Sequence, residues 1–84
     1  MIWIYEENRI YMLDEKGHVI CEANLEKKDT RTVIINRIYV DPAYRNQGWA
    51  DRTMHTVMEY IRKHQFNVIP VCPYAKAWME KKNL

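Results

Sequence analysis

Ten consecutive residues, Asp41-Pro42-Ala43-Tyr44-Arg45-Asn46-Gln47-Gly48-Trp49-Ala50, have the types and order of a loop that wraps an anion. A helix start presents backbone N–H groups without intrahelical partners and about half a positive charge, so a loop feeding one suits phosphate. Gly48 lets the backbone approach a ligand closely, and Ala50 leaves the first helical turn uncrowded. Asn46 adopts a left-handed conformation more readily than most side chains, and Arg45 adds a fixed cation shaped for phosphate oxygens. On spacing alone the same residues also suit an ordinary polar turn with a helix start.

Cys72 and Tyr74 are the other candidates. Cys72 stands between a strand end and a helix start, where a thiol gains nucleophilicity; a small buried apolar residue is the alternative. Tyr74 offers a phenolic proton donor or an ordinary half-buried aromatic ring. His18, His55 and His64 fall at a turn, a polar helix face and a helix end, where solvation is usual. Glu22 alternates away from Cys21 and Ala23 and reads as an exposed strand carboxylate. None of these stands out as a general base. Arg52, with Arg62 and Lys63, lies on a basic helix face, close enough to the helix start to meet a further phosphate.

The elements that position these groups follow from the periodicity. Met1–Tyr5 and Arg9–Leu13 read as strands around a Glu6-Glu7-Asn8 loop, and Asp14–Gly17 as a turn. Val19, Cys21, Ala23 and Leu25 alternate with Ile20, Glu22, Asn24 and Glu26, which marks a strand with one buried face. Thr32–Val40 is apolar on both faces and belongs inside the sheet, ending at Asp41-Pro42. From Gly48 to about His64 the stripe Ala50, Met54, Val57, Met58, Ile61 recurs at helical spacing and packs a core. Phe66–Cys72 follows as a buried strand, parallel to Thr32–Val40 through a right-handed crossover. Pro73 opens a last helix, Tyr74–Lys82.

The chain has 84 residues, 48% hydrophobic and 12% aromatic, with two Gly and three Pro. That apolar mass folds, and the length holds one domain, residues 1–84. Thirteen basic and eleven acidic side chains are interspersed for a net charge of +2, which gives no electrostatic reason to expect nucleic acid or an anionic membrane. Apolar runs are too short for a membrane helix and no secretory leader is evident. The two cysteines make neither a disulfide framework nor a zinc motif, so a cytoplasmic setting and no metal are expected.

Val40 to Ala50 resembles the acetyl-CoA signature of the GNAT superfamily of N-acetyltransferases, Q/R-x-x-G-x-G/A, with Arg45, Gly48 and Ala50 in its three fixed places. With Val71-Cys72-Pro73-Tyr74 after the second parallel strand, nearly the whole chain is similar to the small, single-domain YjdJ-like branch of that superfamily. The resemblance implies a minimal GNAT-like α/β fold of mixed α+β type. Its mostly antiparallel five-stranded sheet has one parallel pair joined by the long helix, splays between that pair, and is followed by a short C-terminal helix.

It also implies acetyl-CoA as co-substrate. Pantetheine would pair with backbone groups around Ile38, Tyr39 and Val40, and the pyrophosphate would lie on the amides of Arg45, Asn46, Gln47, Gly48, Trp49 and Ala50. Val40 N–H would polarise the acetyl carbonyl, Tyr74 would protonate the departing sulfur, and Cys72 is a second catalytic candidate. Three departures stand out: Asn46 where many members have Gly, Trp49 where an aliphatic residue is usual, and Arg37 where His is expected. No role of that His is carried over.

The expected reaction is direct acetyl transfer to a primary amine, on a protein or peptide, in a ternary complex. An acyl-CoA-binding module with little catalysis and a small nucleic-acid or protein adaptor are the alternatives. A monomer or weak dimer is expected. Longer family members wall the acceptor site with helices between the first two strands, where this sequence has only Glu6-Glu7-Asn8.

Overall fold

The computed structural model describes residues 2–84. The β-branched and aromatic N-terminal half forms four strands: β1 (Trp3–Glu6), β2 (Arg9–Leu13), β3 (Val19–Lys27) and β4 (Thr32–Val40). A short 3-10 turn, Pro42–Tyr44, leads to helix α1 (Trp49–Lys63), then β5 (Asn67–Pro70) and helix α2 (Pro73–Lys81). The sheet runs β1-β2-β3-β4-β5 in space. Its neighbours are antiparallel except β4 and β5, which are parallel and joined by α1. The chain is thus a mixed α/β fold of the expected order. The first strand starts at Trp3 and takes in Glu6, which had been assigned to the loop; Met1 lies outside the described residues.

Both helices cover the same face of the sheet. Met54, Val57, Met58 and Ile61 of α1 and Ala75, Trp78 and Met79 of α2 pack with Ile10, Ala23, Leu25, Val33 and Ile35 in one buried cluster. Burying each of the larger aliphatic side chains contributes about 1.5–3 kcal/mol, so this single layer carries most of the apolar stabilisation. The opposite face bears the cross-strand row Tyr11, Glu22, Tyr39 and the row Arg9, Asn24, Arg37. Arg9 there donates to Glu6 Oε1 at 2.8 Å and to Glu22 Oε1 at 2.9 Å. Asn24 Nδ2 donates to Glu22 Oε2 at 2.7 Å, and the Arg9 guanidinium lies 3.8 Å over the Tyr11 ring.

Two irregularities in register shape the molecule. Met12 pairs with Cys21 and Leu13 with Val19, so Ile20 is an extra residue. A bulge puts two consecutive side chains on one side, and Ile20 is fully buried next to Cys21. Strict alternation had placed Ile20 on the opposite face, a misreading the bulge explains. The second shift lies between Asn24–Arg37 and Leu25–Ile35, where Asn36 of β4 has no register partner on β3, although its side-chain amide donates to Glu26 Oε1 at 3.0 Å. A bulge bends its strand, and from this point β4 diverges from β5.

β5 pairs only with Thr32–Ile35 of β4. Its ladder ends because the N–H groups of Val71 and Cys72 both donate to Ile35 O, each at 3.0 Å. The strand is therefore shorter than the expected Phe66–Cys72. The remaining stretch of β4, Asn36–Val40, has no strand on its β5 side.

Candidate functional site

That unpaired stretch opens a cleft of about 510 Å³. Arg37, Ile38, Tyr39 and Val40 form its strand wall; Tyr44, Arg45 and Asn46 its loop side; Gly48 to Asp51 its helical end; Tyr74 reaches in from α2. The backbone phase of the wall follows from one bond. Asp41 N–H donates to Ile20 O at 2.8 Å, beside the Cys21–Val40 pair. Antiparallel pairs alternate between exchanging hydrogen bonds and not doing so, so Val40 and Ile38 are of the second kind. Their N–H and C=O groups point away from β3 into the cleft, while those of Tyr39 are used within the ladder. Arg45 Nε donates to Val40 O at 3.1 Å, in keeping with that direction.

The loop holds itself in shape by local bonds. Asp41 Oδ1 accepts from Ala43 N–H at 2.8 Å, and Tyr44 Oη donates to Asp14 Oδ2 at 3.2 Å, tying the loop to the β2–β3 turn. Asn46 has φ +63° and Gly48 φ +83°, both left-handed. Gly48 takes this conformation without steric cost, and it is the N-cap of α1. No side chain caps that helix. The first-turn amides are accordingly without intrahelical partners and sit at the positive end of a 15-residue helix, at the end of the cleft.

Tyr74 lies in the first turn of α2, with 40% of its surface exposed. Burial of its remaining part, and secondarily the Asp51 carboxylate, pushes its phenol above the ordinary tyrosine value, so it stays protonated at neutral pH. One turn further on, Trp78 Nε1 donates to Asp51 Oδ1 at 2.7 Å and ties α2 to the first turn of α1. His55 Nε2 stands 3.4 Å from the other carboxylate oxygen.

Chiefly through the Trp78 bond, the Asp51 carboxyl is held below its ordinary 3.8. A depressed carboxyl stabilises the fold above its unfolded pKa and loses that contribution as pH falls through the folded value. Trp78→Phe is expected to lower stability by about 1 kcal/mol at pH 7. It should also flatten the acid limb below about pH 4, as read by urea unfolding across pH.

A second cavity of about 480 Å³ lies beside the β2–β3 turn, lined by Asp14, Glu15 and Asp41 among others. Its carboxylates repel phosphate. Asp14 is also engaged, accepting from the N–H groups of Lys16 and His18 as well as from Tyr44. Of these two cavities the β4 cleft suits a polyanionic ligand better, since an uncapped helix start and Arg45 border it.

The sequence matches the GCN5-related N-acetyltransferase family over residues 9–83, nearly the full chain. The chain belongs to that family. Its fold is similar to that of a GCN5-like N-acetyltransferase candidate from Staphylococcus aureus, with TM-score 0.78 and 23% identity over 98% of this chain and 80% of that one. An acetyltransferase from Trypanosoma brucei is similar at TM-score 0.64 and 20% identity, over 90% of this chain and 60% of that one. An acetyltransferase candidate from Deinococcus radiodurans is similar at TM-score 0.66 and 18% identity, over 90% and 53%. At these identities the likeness is one of fold, and this chain spans little more than half of the latter two. No curated protein sequence matches it.

Within this GCN5-related chain the candidate residues divide. Ile38, Tyr39, Val40, Arg45, Asn46, Gly48, Trp49, Ala50 and Tyr74 meet at one cleft, and Gln47 is exposed on the loop without lining it. Trp49 is 7% exposed, its ring packed with Met12, Ile20 and Cys21 against the protein. Cys72 is also 7% exposed and belongs to the main core, away from the cleft lining. Glu22, read as exposed, is largely covered and paired with Arg9 on the other face.

Asp51 was not singled out, and Trp78, whose expected place is in the core, fills it and also bonds Asp51. The i,i+4 spacing of Tyr74 and Trp78 puts both on one helix face and was the available signal.

Proposed function

We propose that the chain transfers an acetyl group from acetyl-CoA to a primary amine on a protein or peptide, by direct attack in a ternary complex. The observation that carries the reading is the meeting, in one cleft, of the Ile38 backbone groups and Val40 N–H, an uncapped helix start and Tyr74. Pyrophosphate oxygens accept from the first-turn amides of α1, and Arg45 sits at the loop side of the same end. Pantetheine amides extend β4 by pairing with Val40 N–H and Ile38 C=O, as an added strand would.

Ile38 N–H, directed into the cleft and further than Val40 from the phosphate end, is the better placed donor to the carbonyl oxygen as it gains charge, in place of the expected Val40 N–H. The neutral amine attacks the acyl carbon, the carbon–sulfur bond breaks, and Tyr74 passes its proton to the leaving sulfur. A second proton leaves the amine for solvent, and Tyr74 is reprotonated from solvent. Cys72, packed in the core, takes no covalent part; Cys72→Ala is expected to keep acetyl-CoA affinity within several-fold.

A binding module with slow catalysis is the second reading. It is favoured by Asp51, the carboxylate of the cleft, being held by Trp78 and lowered in basicity. Titration calorimetry with acetyl-CoA, followed by mass spectrometry of lysine peptides incubated with both, separates the two. Binding together with acetylated peptide supports transfer, binding with no acetylated peptide supports the module, and no binding at millimolar acetyl-CoA sinks both.

A further inference from the structure

The cleft has a covered side and an open one. A carbonyl that accepts from Ile38 N–H as an added strand would lies in the plane of the sheet, the donated hydrogen near its own trigonal plane. Its two faces therefore look out through the two faces of the sheet, and a nucleophile arrives along one of these directions. On the helical side stand Tyr74 and the side chain of Ile38, which packs against the main core cluster. Among the described residues no element covers the other side, because both helices lie on one face of the sheet. The amine acceptor accordingly approaches across the open face.

Of the strand wall, Arg37 and Tyr39 belong to that face. They flank Ile38, and the Arg37 guanidinium lies 5.0 Å from the centroid of the Tyr39 ring, so it reaches past the Ile38 position on the open side. Arg37 is exposed, and among the described residues it has no carboxylate partner. The acidic side chains of the same face are engaged elsewhere, Glu6 and Glu22 by Arg9 and Glu26 by Asn36. The other arginine of the cleft, Arg45, donates to Val40 O at the phosphate end. Arg37 stands three residues from Val40, about 10 Å back along the strand, beside a stretch of pantetheine and thioester that carries no charge. A guanidinium is a planar fork of donors shaped for a carboxylate. The donor supplies no anion at this point, so the anion that suits Arg37 is one carried by the acceptor.

We propose that Arg37 selects the acceptor: an amine with a carboxylate close by, as on a lysine flanked by acidic residues. The proposal rests on the transferase reading of the cleft and names the acceptor class of that site. The bond changes are those of acetyl transfer. The amine nitrogen joins the acyl carbon, the carbon–sulfur bond breaks, the sulfur takes the Tyr74 proton, and the second amine proton leaves for solvent. Arg37 exchanges no proton; it holds the carboxylate while the neighbouring amine meets the thioester.

Two peptides with blocked termini and a single lysine, flanked in one by aspartates and in the other by asparagines, test it with acetyl-CoA. Rates of peptide acetylation, read by mass spectrometry, give kcat/KM for the wild-type, Arg37→Gln and Arg37→Glu chains. The wild-type chain is expected to favour the aspartate peptide about fivefold, or about 1 kcal/mol, the upper range of an exposed ion pair. Raising the salt to about 1 M should shrink that preference, a reading on the wild-type chain alone. Arg37→Gln should abolish the preference and Arg37→Glu should invert it. Because the readout is a ratio between two peptides, a general loss of activity in a variant cancels, and thermal melting checks the fold. No preference in the wild type overturns the proposal and leaves the transferase reading standing, as does a preference that salt leaves unchanged. So does a preference that survives in Arg37→Gln; weaker acetyl-CoA binding by that variant in titration calorimetry would then assign the guanidinium to a CoA phosphate. Failure of the wild-type chain to acetylate either peptide overturns the transferase reading, and the proposal with it.

Discussion

Ala50→Glu is expected to weaken acetyl-CoA binding by about a hundredfold while leaving the fold as stable as before, or slightly more so. Ala50 is the second residue of α1, half-buried and lining the cleft where the first-turn amides are uncapped. A carboxylate here would stand within about 4 Å of a bound phosphate, a repulsion on the order of 4 kcal/mol at the effective dielectric of a protein surface. Screening at physiological salt reduces this, and about 2.7 kcal/mol is a hundredfold in affinity. The same charge favours the helix, since an acidic side chain in the first turn contributes about 0.3–1 kcal/mol.

Binding and stability are thus predicted to move in opposite directions, which general damage to the fold cannot produce. Ala50→Gln, similar in bulk and neutral, should lie between wild type and Ala50→Glu. Calorimetric titration with acetyl-CoA beside thermal melting reads both. An unchanged affinity in Ala50→Glu would remove the phosphate from this helix end.

Tyr74→Phe is expected to lower kcat by about a hundredfold, the lower range for a positioned general acid, with little change in acetyl-CoA affinity or melting temperature. The residue is two-fifths exposed, and among the described residues its hydroxyl has no side-chain hydrogen-bond partner. Its removal therefore leaves no buried polar group unsatisfied. Burial and the Asp51 charge raise the phenol above its ordinary value, so the proton is available through neutral pH and is lost only on the alkaline side. The wild-type kcat should accordingly fall at high pH, and that limb should be absent from Tyr74→Phe. Single-turnover measurement separates this effect from product release. An unchanged kcat, or a loss that appears as KM alone, would make Tyr74 a wall of the cleft and not its acid.

Most of the architecture could be read from local pattern because the determinants are local. The stripe Met54, Val57, Met58, Ile61 buries one side of α1 whatever lies opposite, and Asp41-Pro42 ends a strand through its own restrictions on backbone geometry. The loop's backbone was readable in part for the same reason: Asn46 was read as tolerant of a left-handed conformation and adopts one, while Gly48, read as letting a ligand approach closely, is left-handed as well. Bulges were not readable. Nothing in Gly17-His18-Val19-Ile20-Cys21 says that Ile20 is the extra residue, because that depends on how β2 and β3 come into register across their turn.

The side-chain roles show the same division. Cys72 stands beside the expected site in sequence, yet its side chain turns into the core because Pro73 starts α2 there and the Cys72 N–H is drawn to Ile35 O. Glu22, read as a solvated strand carboxylate, gained Arg9 from a neighbouring strand. Asp51 and Trp78 are 27 positions apart, a separation at which no local pattern signals contact.

By itself, then, the sequence determined the order and type of the elements, the parallel crossover, and a loop-to-helix start suited to phosphate, since each depends on residues adjacent in the chain or one turn apart. The tertiary structure decided where β5 lets go of β4, which backbone groups face the opening, and which side chains reach it. Those are matters of register and of packing between segments distant in the chain. A single extra residue at Asn36 and two amides drawn to one carbonyl are enough to open a cleft that no spacing announces.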